Sequence, residues 1–452
     1  MNSYQDSELL SARGSRLIVE SGHSTLHEVL EDIYHPERNP DGILSLGLAE
    51  NSLMHDELLQ YIHDTFKLTS HDLMYGDGSH GSKRLRNAAA RFITRHLNPV
   101  MPVESKHIIV SLGVSNILET LAYTLGNSGD GFLVGRPFYG AFPADFGARA
   151  KVRVVGVPFG SIDPFSLEAV AKYEETLLRS NRAGVPIKAL VLCTPHNPLG
   201  RCYTREVIIA LMELCQKHSI HLISDEIYAL SIWPNPDAPN APTFTSVLSI
   251  DTTGIIDPFR VHALWGMSKD FGANGLRIGF IIDQHNPTFR ESLLQISFPN
   301  YPSAPADQIA ATILSDDAFT SSYLSTNTAR IAAAYAHATK WLAGHGIPYT
   351  PGGNAGFFVW VNLKGALTTA TETAEEGRAG GGRRGGGQGA RTYDHERLKA
   401  IMKRRKLSLA DALAFGGEEE GWFRIIFTHP AGFIDRCFAR LEECLDEYRG
   451  AK

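Results

Sequence analysis

Strand–helix alternation through the middle of the chain predicts an α/β fold built on a mostly parallel sheet. Short runs rich in Val, Ile, Leu and Phe recur at 107–112, 132–134, 152–157, 189–193, 220–224, 261–265 and 278–282. Several are apolar nearly throughout, the pattern of strands buried on both faces. Helical patterns at 115–125, 167–178 and 205–218 lie between them. At 452 residues the chain is long enough for two domains and a substantial core.

Taken in order, the first helical pattern opens on Thr25 and Glu28, which have capping-box spacing. The α/β alternation then runs to about residue 300, where the pattern changes. Residues 328–343 read as a long helix closed by Gly344 and Gly346, and 357–363 and 422–427 read as strands. The expected division is an N-terminal segment (1–70) joining a smaller α+β domain (301–452), with a large α/β domain (71–300) between them. The stretch 365–391 contains GRAGGGRRGGGQGA and lacks the apolar residues that offset the entropy of ordering, so a disordered surface insertion is expected there.

The formal net charge of -6 gives no basic excess for nucleic acid, so no nucleic-acid partner is expected. The five cysteines form no CxxC pair or other metal-ligand spacing; no metal is expected, and reduced, buried thiols fit an intracellular protein. The first residues lack the apolar core of a secretory signal, and no run approaches the roughly 20 apolar residues of a membrane helix. A cytoplasmic protein without membrane contact is the expectation.

The words that carry chemistry sit at strand ends. Ser268-Lys269-Asp270 follows the strand at 261–265. A lysine held there in a partly desolvated pocket has a lowered pKa, and its neutral amine can attack an aldehyde. Arg277, eight residues on, offers charge-assisted bonds to a phosphate. Asp225, in ISDEIY, stands at the carboxyl end of a strand, where α/β sheets bind ligands; an aspartate there can keep a pyridine nitrogen protonated. Tyr228 and the Asn197 of TPHNPLG can both donate to a ring oxygen. Val114 and Ser115 lie at a strand-to-helix junction that offers backbone N–H groups to a phosphate, and Tyr139 offers a face for stacking on a flat ring. Arg424, in GWFR, presents a planar fork suited to a carboxylate.

In this order the words resemble fold-type I pyridoxal-phosphate enzymes of the class I/II aminotransferase superfamily, from about Leu46 to Pro430. Within it, NPDGI leading into GLAEN, NAGFFVWV and GWFR are similar to the 1-aminocyclopropane-1-carboxylate synthase branch and its fungal and animal relatives. The resemblance implies pyridoxal 5'-phosphate held by Lys269, which also moves the α-proton. Asp225 is implied at the pyridine nitrogen, Asn197 and Tyr228 at the ring oxygen, and Tyr139 on the ring face. Val114, Ser115, Ser268 and Arg277 are implied around the phosphate, with Tyr75 reaching it from a neighbouring subunit of a homodimer. Arg424 would take the carboxylate of an amino-acid-like substrate, with Ala49 and Glu50 beside it. Two words depart from the pattern. Gly266 stands where the family usually has a phosphate-binding serine, and YGDGSHG replaces the synthases' YHG.

Transamination is the reaction expected first. The alternative is lyase chemistry, either carbon–sulfur cleavage in sulfur-containing secondary metabolism or elimination of the synthase type. A pseudoenzyme or regulatory binding protein is the non-enzymatic alternative, opposed by the presence of Lys269, Asp225, Asn197, Tyr228 and Arg424.

Overall fold

The structure, a computed structural model, describes residues 10–15, 25–367 and 393–450. Most of the expected disordered insertion, from residue 368 on, therefore lies outside the described residues, as does the Thr25 side chain of the expected capping box. In chain order the strands are β1 (Leu44–Ser45), β2 (Ile108–Leu112), β3 (Gly131–Gly135), β4 (Arg153–Val157), β5 (Ile187–Cys193) and β6 (His221–Asp225). There follow β7 (Val261–Gly266), β8 (Ile278–Ile282), β9 (Phe358–Asn362), β10 (Leu407–Ser408), β11 (Ala410–Asp411) and β12 (Trp422–Ile426).

Seven of these form one sheet in the order β2-β8-β7-β6-β5-β3-β4. Neighbours from β4 to β7 run parallel, and β8 lies antiparallel between β7 and β2. Both faces are covered, which explains the unbroken apolar runs. Leu133, Leu190, Leu192 and Leu222 pack into one core. Phe132, Val134, Ala189, Val191 and Ile223 pack into another on the opposite face. The two sets alternate along each strand with the period of the pleat. The chain leaves β2, β3, β4, β5, β6 and β7 along one rim of the sheet, the last of these connections leading straight into β8, so six connections open together there.

A separate core gathers Leu44 and Leu46, the far half of the helix Asp317–Gly344, strands β9 and β12, and the helix Ala431–Arg449. Here β9, β12 and β11 form an antiparallel sheet, while β1 pairs in parallel with β10. The helix expected at 328–343 is longer than its sequence pattern, spanning Asp317–Gly344 with an Asp316 cap on the Phe319 N–H. Its Tyr323 belongs to the large sheet's core and its Ile331, Tyr335 and Leu342 to the second, so its buried face turns along its length.

Candidate active site

The rim fixes the lysine first. Lys269 lies on the one-turn helix Met267–Asp270 that β7 feeds directly. Its neighbour Asp270 anchors that turn: the buried carboxylate accepts from Leu230 N (3.1 Å), Ser231 Oγ (2.7 Å) and Trp265 Nε1 (2.9 Å). From this base the Lys269 Nζ donates to the Ala49 carbonyl at 2.6 Å, and Asn274 Nδ2 donates to the same oxygen at 3.2 Å. Burial lowers the Lys269 amine to about 8, with the nearby Arg424 charge acting the same way.

Asp225 closes β6 and is buried. Among the described residues its carboxylate accepts one hydrogen bond, from Ile227 N at 3.3 Å. Burial pushes it up to about 7, opposed by that bond and by the Lys269 charge. Asn197 is also buried, its Oδ1 accepting from Arg424 Nη1 at 2.8 Å. The second arm of Arg424 donates to the Gly47 carbonyl at 2.6 Å, while its Nε is buried without a partner. Tyr228 is buried edge-on against Phe357 and Phe358, both at 5.2 Å between ring centroids. Tyr139 stands half-buried with its ring edge-on to Phe142, and burial pushes its hydroxyl up to about 12.

A cradle lies between β2 and β8. The helix Gly113–Leu125 begins immediately after β2, and no side chain at Leu112 caps its first N–H groups. Arg277 faces this helix start from a left-handed backbone (φ 54°), its guanidinium donating to Asn274 O (2.9 Å) and Leu112 O (3.2 Å). Gly113 has φ 79°, and a Cβ there would lie 2.7 Å from Arg277 Nη2. A Cβ on Gly279 would meet Gly113 C at 2.6 Å and Val114 N at 2.8 Å. Side chains at either position would fill the space at the helix start. Ser268 is buried in the lysine's own turn, and Thr194 Oγ1, after β5, is buried without a partner.

The expected set is thus brought to one rim, with one exception within the chain. Tyr75 is 77 % exposed and packs its ring on Phe298 at 5.7 Å. Gly266 has a structural reason. Its backbone is extended, but a Cβ would stand 2.7 Å from the Ile278 carbonyl, where β7 and β8 approach closely. Two participants were not legible beforehand: the Gly47 carbonyl under Arg424, and Asn274, which braces both the Ala49 carbonyl and the Arg277 guanidinium. Asn274 lies between two words that were read, but only the local 3₁₀ turn Asn274–Leu276 turns it inward.

A lysine of lowered pKa, an under-satisfied carboxylate and a cationic helix-start cradle, all on the carboxyl rim of this sheet, define a pyridoxal-phosphate enzyme of fold type I. The donor set fits the cofactor: an acid for the ring nitrogen, an amine for the aldehyde, and uncapped N–H groups with a guanidinium for the phosphate. Residues 45–441 match the family described as Aminotransferase class I and II, and the chain belongs to that family. A fungal relative, "Probable aminotransferase gliI" of Aspergillus fumigatus, is 35% identical over 410 residues, covering 88% of each chain. The 1-aminocyclopropane-1-carboxylate synthase CMW33 of Cucurbita maxima is 29% identical over 450 residues, covering 95% of this chain and 85% of its own. Among solved structures, a multiple substrate aminotransferase from Thermococcus profundus superposes with a TM-score of 0.71 at 18% identity, over 98% of this chain and 99% of that one. The protein is therefore an enzyme that depends on pyridoxal 5'-phosphate, and it shares the synthase-like branch's relatives. Among the described residues no helix is long and apolar enough to cross a membrane.

Proposed function

We propose that the enzyme transfers the amino group of an amino-acid-like substrate, with Lys269 as the catalytic residue. The carrying observation is the meeting of Lys269, Asp225 and Arg424 on one rim, drawn from β7, β6 and β12. When bound, pyridoxal phosphate supplies an aldehyde for the lysine and an electron-accepting ring that loosens bonds at the substrate's α-carbon. Asp225, buried and short of hydrogen-bond donors within the chain, would hold the ring nitrogen protonated as its ion-pair partner. Asn197 and Tyr228 direct donors to the ring oxygen, and Tyr139 covers the ring face. Val114, Ser115, Ser268 and Arg277 surround the phosphate.

Arg424 grips the substrate's α-carboxylate with the fork now shared between Asn197 and the Gly47 carbonyl. Ala49 and Glu50 form the wall opposite. Lys269 Nζ, neutral above about pH 8, takes the α-proton and returns it one step later. Tyr75 completes the phosphate site of a second copy, which supports a homodimer; its exposure on the single chain is the observation in favour. Residues 71–300 serve as the cofactor-binding unit, and 301–452, with the N-terminal segment 1–70, as the unit that carries Arg424. A cytoplasmic location agrees with the reduced state of the described cysteines.

The test is the absorbance of the holoenzyme in a single turnover with a panel of amino acids and cysteine conjugates. Conversion to the amine form of the cofactor with release of a 2-oxo acid is expected, and Lys269→Ala should abolish it. Release of a thiol with the starting spectrum restored would make the enzyme a carbon–sulfur lyase instead.

A further inference from the structure

Arg424 is a buried cation with no acid beside it. It is 3 % exposed, and among the described residues it forms no ion pair with a carboxylate. Its two hydrogen-bond acceptors, Asn197 Oδ1 and the Gly47 carbonyl, are both neutral, and its Nε has none. A buried charge in that position is costly. What the fold sets against it is aromatic. The guanidinium carbon lies over the Phe415 ring, 4.7 Å from its centroid, and over the Phe358 ring at 5.5 Å. A phenyl face carries the negative part of the ring's quadrupole, and it attracts a cation most strongly where water is excluded.

The nearer ring is fixed by the chain on both sides of it. Ala410 pairs with Arg424 across β11 and β12. The turn Ala412–Phe415 follows, started by Asp411, whose carboxylate accepts from Leu413 N at 3.0 Å. The Phe415 ring meets Trp360 edge-on at 6.0 Å, and Trp360 stands opposite Arg424 on β9. The Phe415 carbonyl accepts from Phe138 N at 2.7 Å, one residue before Tyr139. Gly416 then takes a left-handed backbone (φ 66°) tight against Phe138, where a Cβ would come within 2.4 Å of the ring. Phe415 thus joins the arginine of β12 to the segment that brings Tyr139 to the site.

We infer that Phe415 is a positioning residue for recognition of the substrate's α-carboxylate, its ring face holding the Arg424 guanidinium in the place where an acid would otherwise stand. The reason for a ring here is chemical. A carboxylate paired with Arg424 would occupy its N–H fork, and the substrate would have to displace it. A ring face attracts the same cation without taking up its N–H donors. Asn197 and the Gly47 carbonyl, being neutral acceptors, then give way to an anion. Phe358 is farther from the guanidinium and also packs on Tyr228, so Phe415 is the ring whose alteration isolates the effect. The inference rests on the proposed role of Arg424, which it deepens.

The experiment measures KM and kcat of the holoenzyme for the amino acid of the panel that reacts best, and kcat/KM for the amine that lacks only its α-carboxylate. Phe415→Leu should raise KM for the amino acid about tenfold, keep kcat within about twofold, and leave the amine unaffected. Phe415→Tyr, which retains a ring face, should stay within about twofold of the unaltered enzyme for both compounds. Phe415 replaced by 3,4,5-trifluorophenylalanine keeps the ring's shape and packing but weakens its negative face; KM should rise about threefold. A fluorinated ring that behaves as the unaltered one, or equal losses for amino acid and amine in Phe415→Leu, overturns the inference and leaves Phe415 a packing residue. Arg424→Ala separates the two levels. A raised KM there with none in Phe415→Leu ends this inference alone, whereas an unaltered KM in both ends the reading of Arg424 as well.

Discussion

Asp225 and Asp270 are both buried, both lie on the carboxyl rim of the sheet, and burial raises both to about 7. They differ in company. Asp270 accepts from a backbone N–H, a hydroxyl and an indole, so its charge is answered inside the protein. Glu226, next in the chain to Asp225, is answered the same way by Ser224, Ser246 and Val247 N. Asp225 has a single long bond from Ile227 N. A buried carboxylate is costly without partners. The one left short of them faces the ligand that would supply the missing charge; the satisfied ones hold the scaffold. Raised pKa alone does not separate the two roles, whereas the count of donors does.

That contrast can be broken experimentally. The largest effect is expected at Asp225→Asn, which keeps the shape and removes the charge. Turnover should fall on the order of 100-fold or more with little loss of thermal stability in the cofactor-free protein. A stability loss matching that of an Asp270 variant would place Asp225 among the structural acids. Arg424→Ala comes next: KM for α-carboxylate substrates should rise on the order of 30-fold, equivalent to about 2 kcal/mol. An unaltered KM would mean that another group holds the carboxylate. The smallest catalytic effect should follow Asp270→Asn, whose amide sets an N–H against donors that now point at oxygen. Here the expected loss is about 1–3 kcal/mol of folding stability, read from chemical denaturation, with kcat per folded molecule reduced only modestly. A collapse of kcat at full stability would give Asp270 a role at the cofactor.

The sheet was legible because its strands are buried on both faces, which writes apolar residues into every position of runs such as 189–193. The long helix was only half legible. Asp317–Gly344 serves one core with Tyr323 and another with Ile331 to Leu342, so no single apolar stripe marks its first three turns. The short pairings of β1 with β10 and of β11 with β12 left no pattern at all, being two residues long. In the site, Lys269, Asp225, Asn197, Tyr228, Arg277 and Arg424 stood in readable words. The parts played by Asn274 and by the Gly47 carbonyl were not legible, although Gly47 stands in GLAEN, since a backbone oxygen carries no residue signature.

What the sequence determined by itself was therefore the alternation that builds the sheet and the identity of the groups at its rim. Both are local: burial sets residue type strand by strand, and chemistry sets it word by word. Only the tertiary structure decided which acid is short of partners, and that the Gly47 and Ala49 carbonyls face Arg424 and Lys269. It likewise decided that Gly266 is confined by the Ile278 carbonyl. Each of these depends on groups far apart in the chain meeting within a few ångströms, and composition and spacing along the chain do not encode such distances.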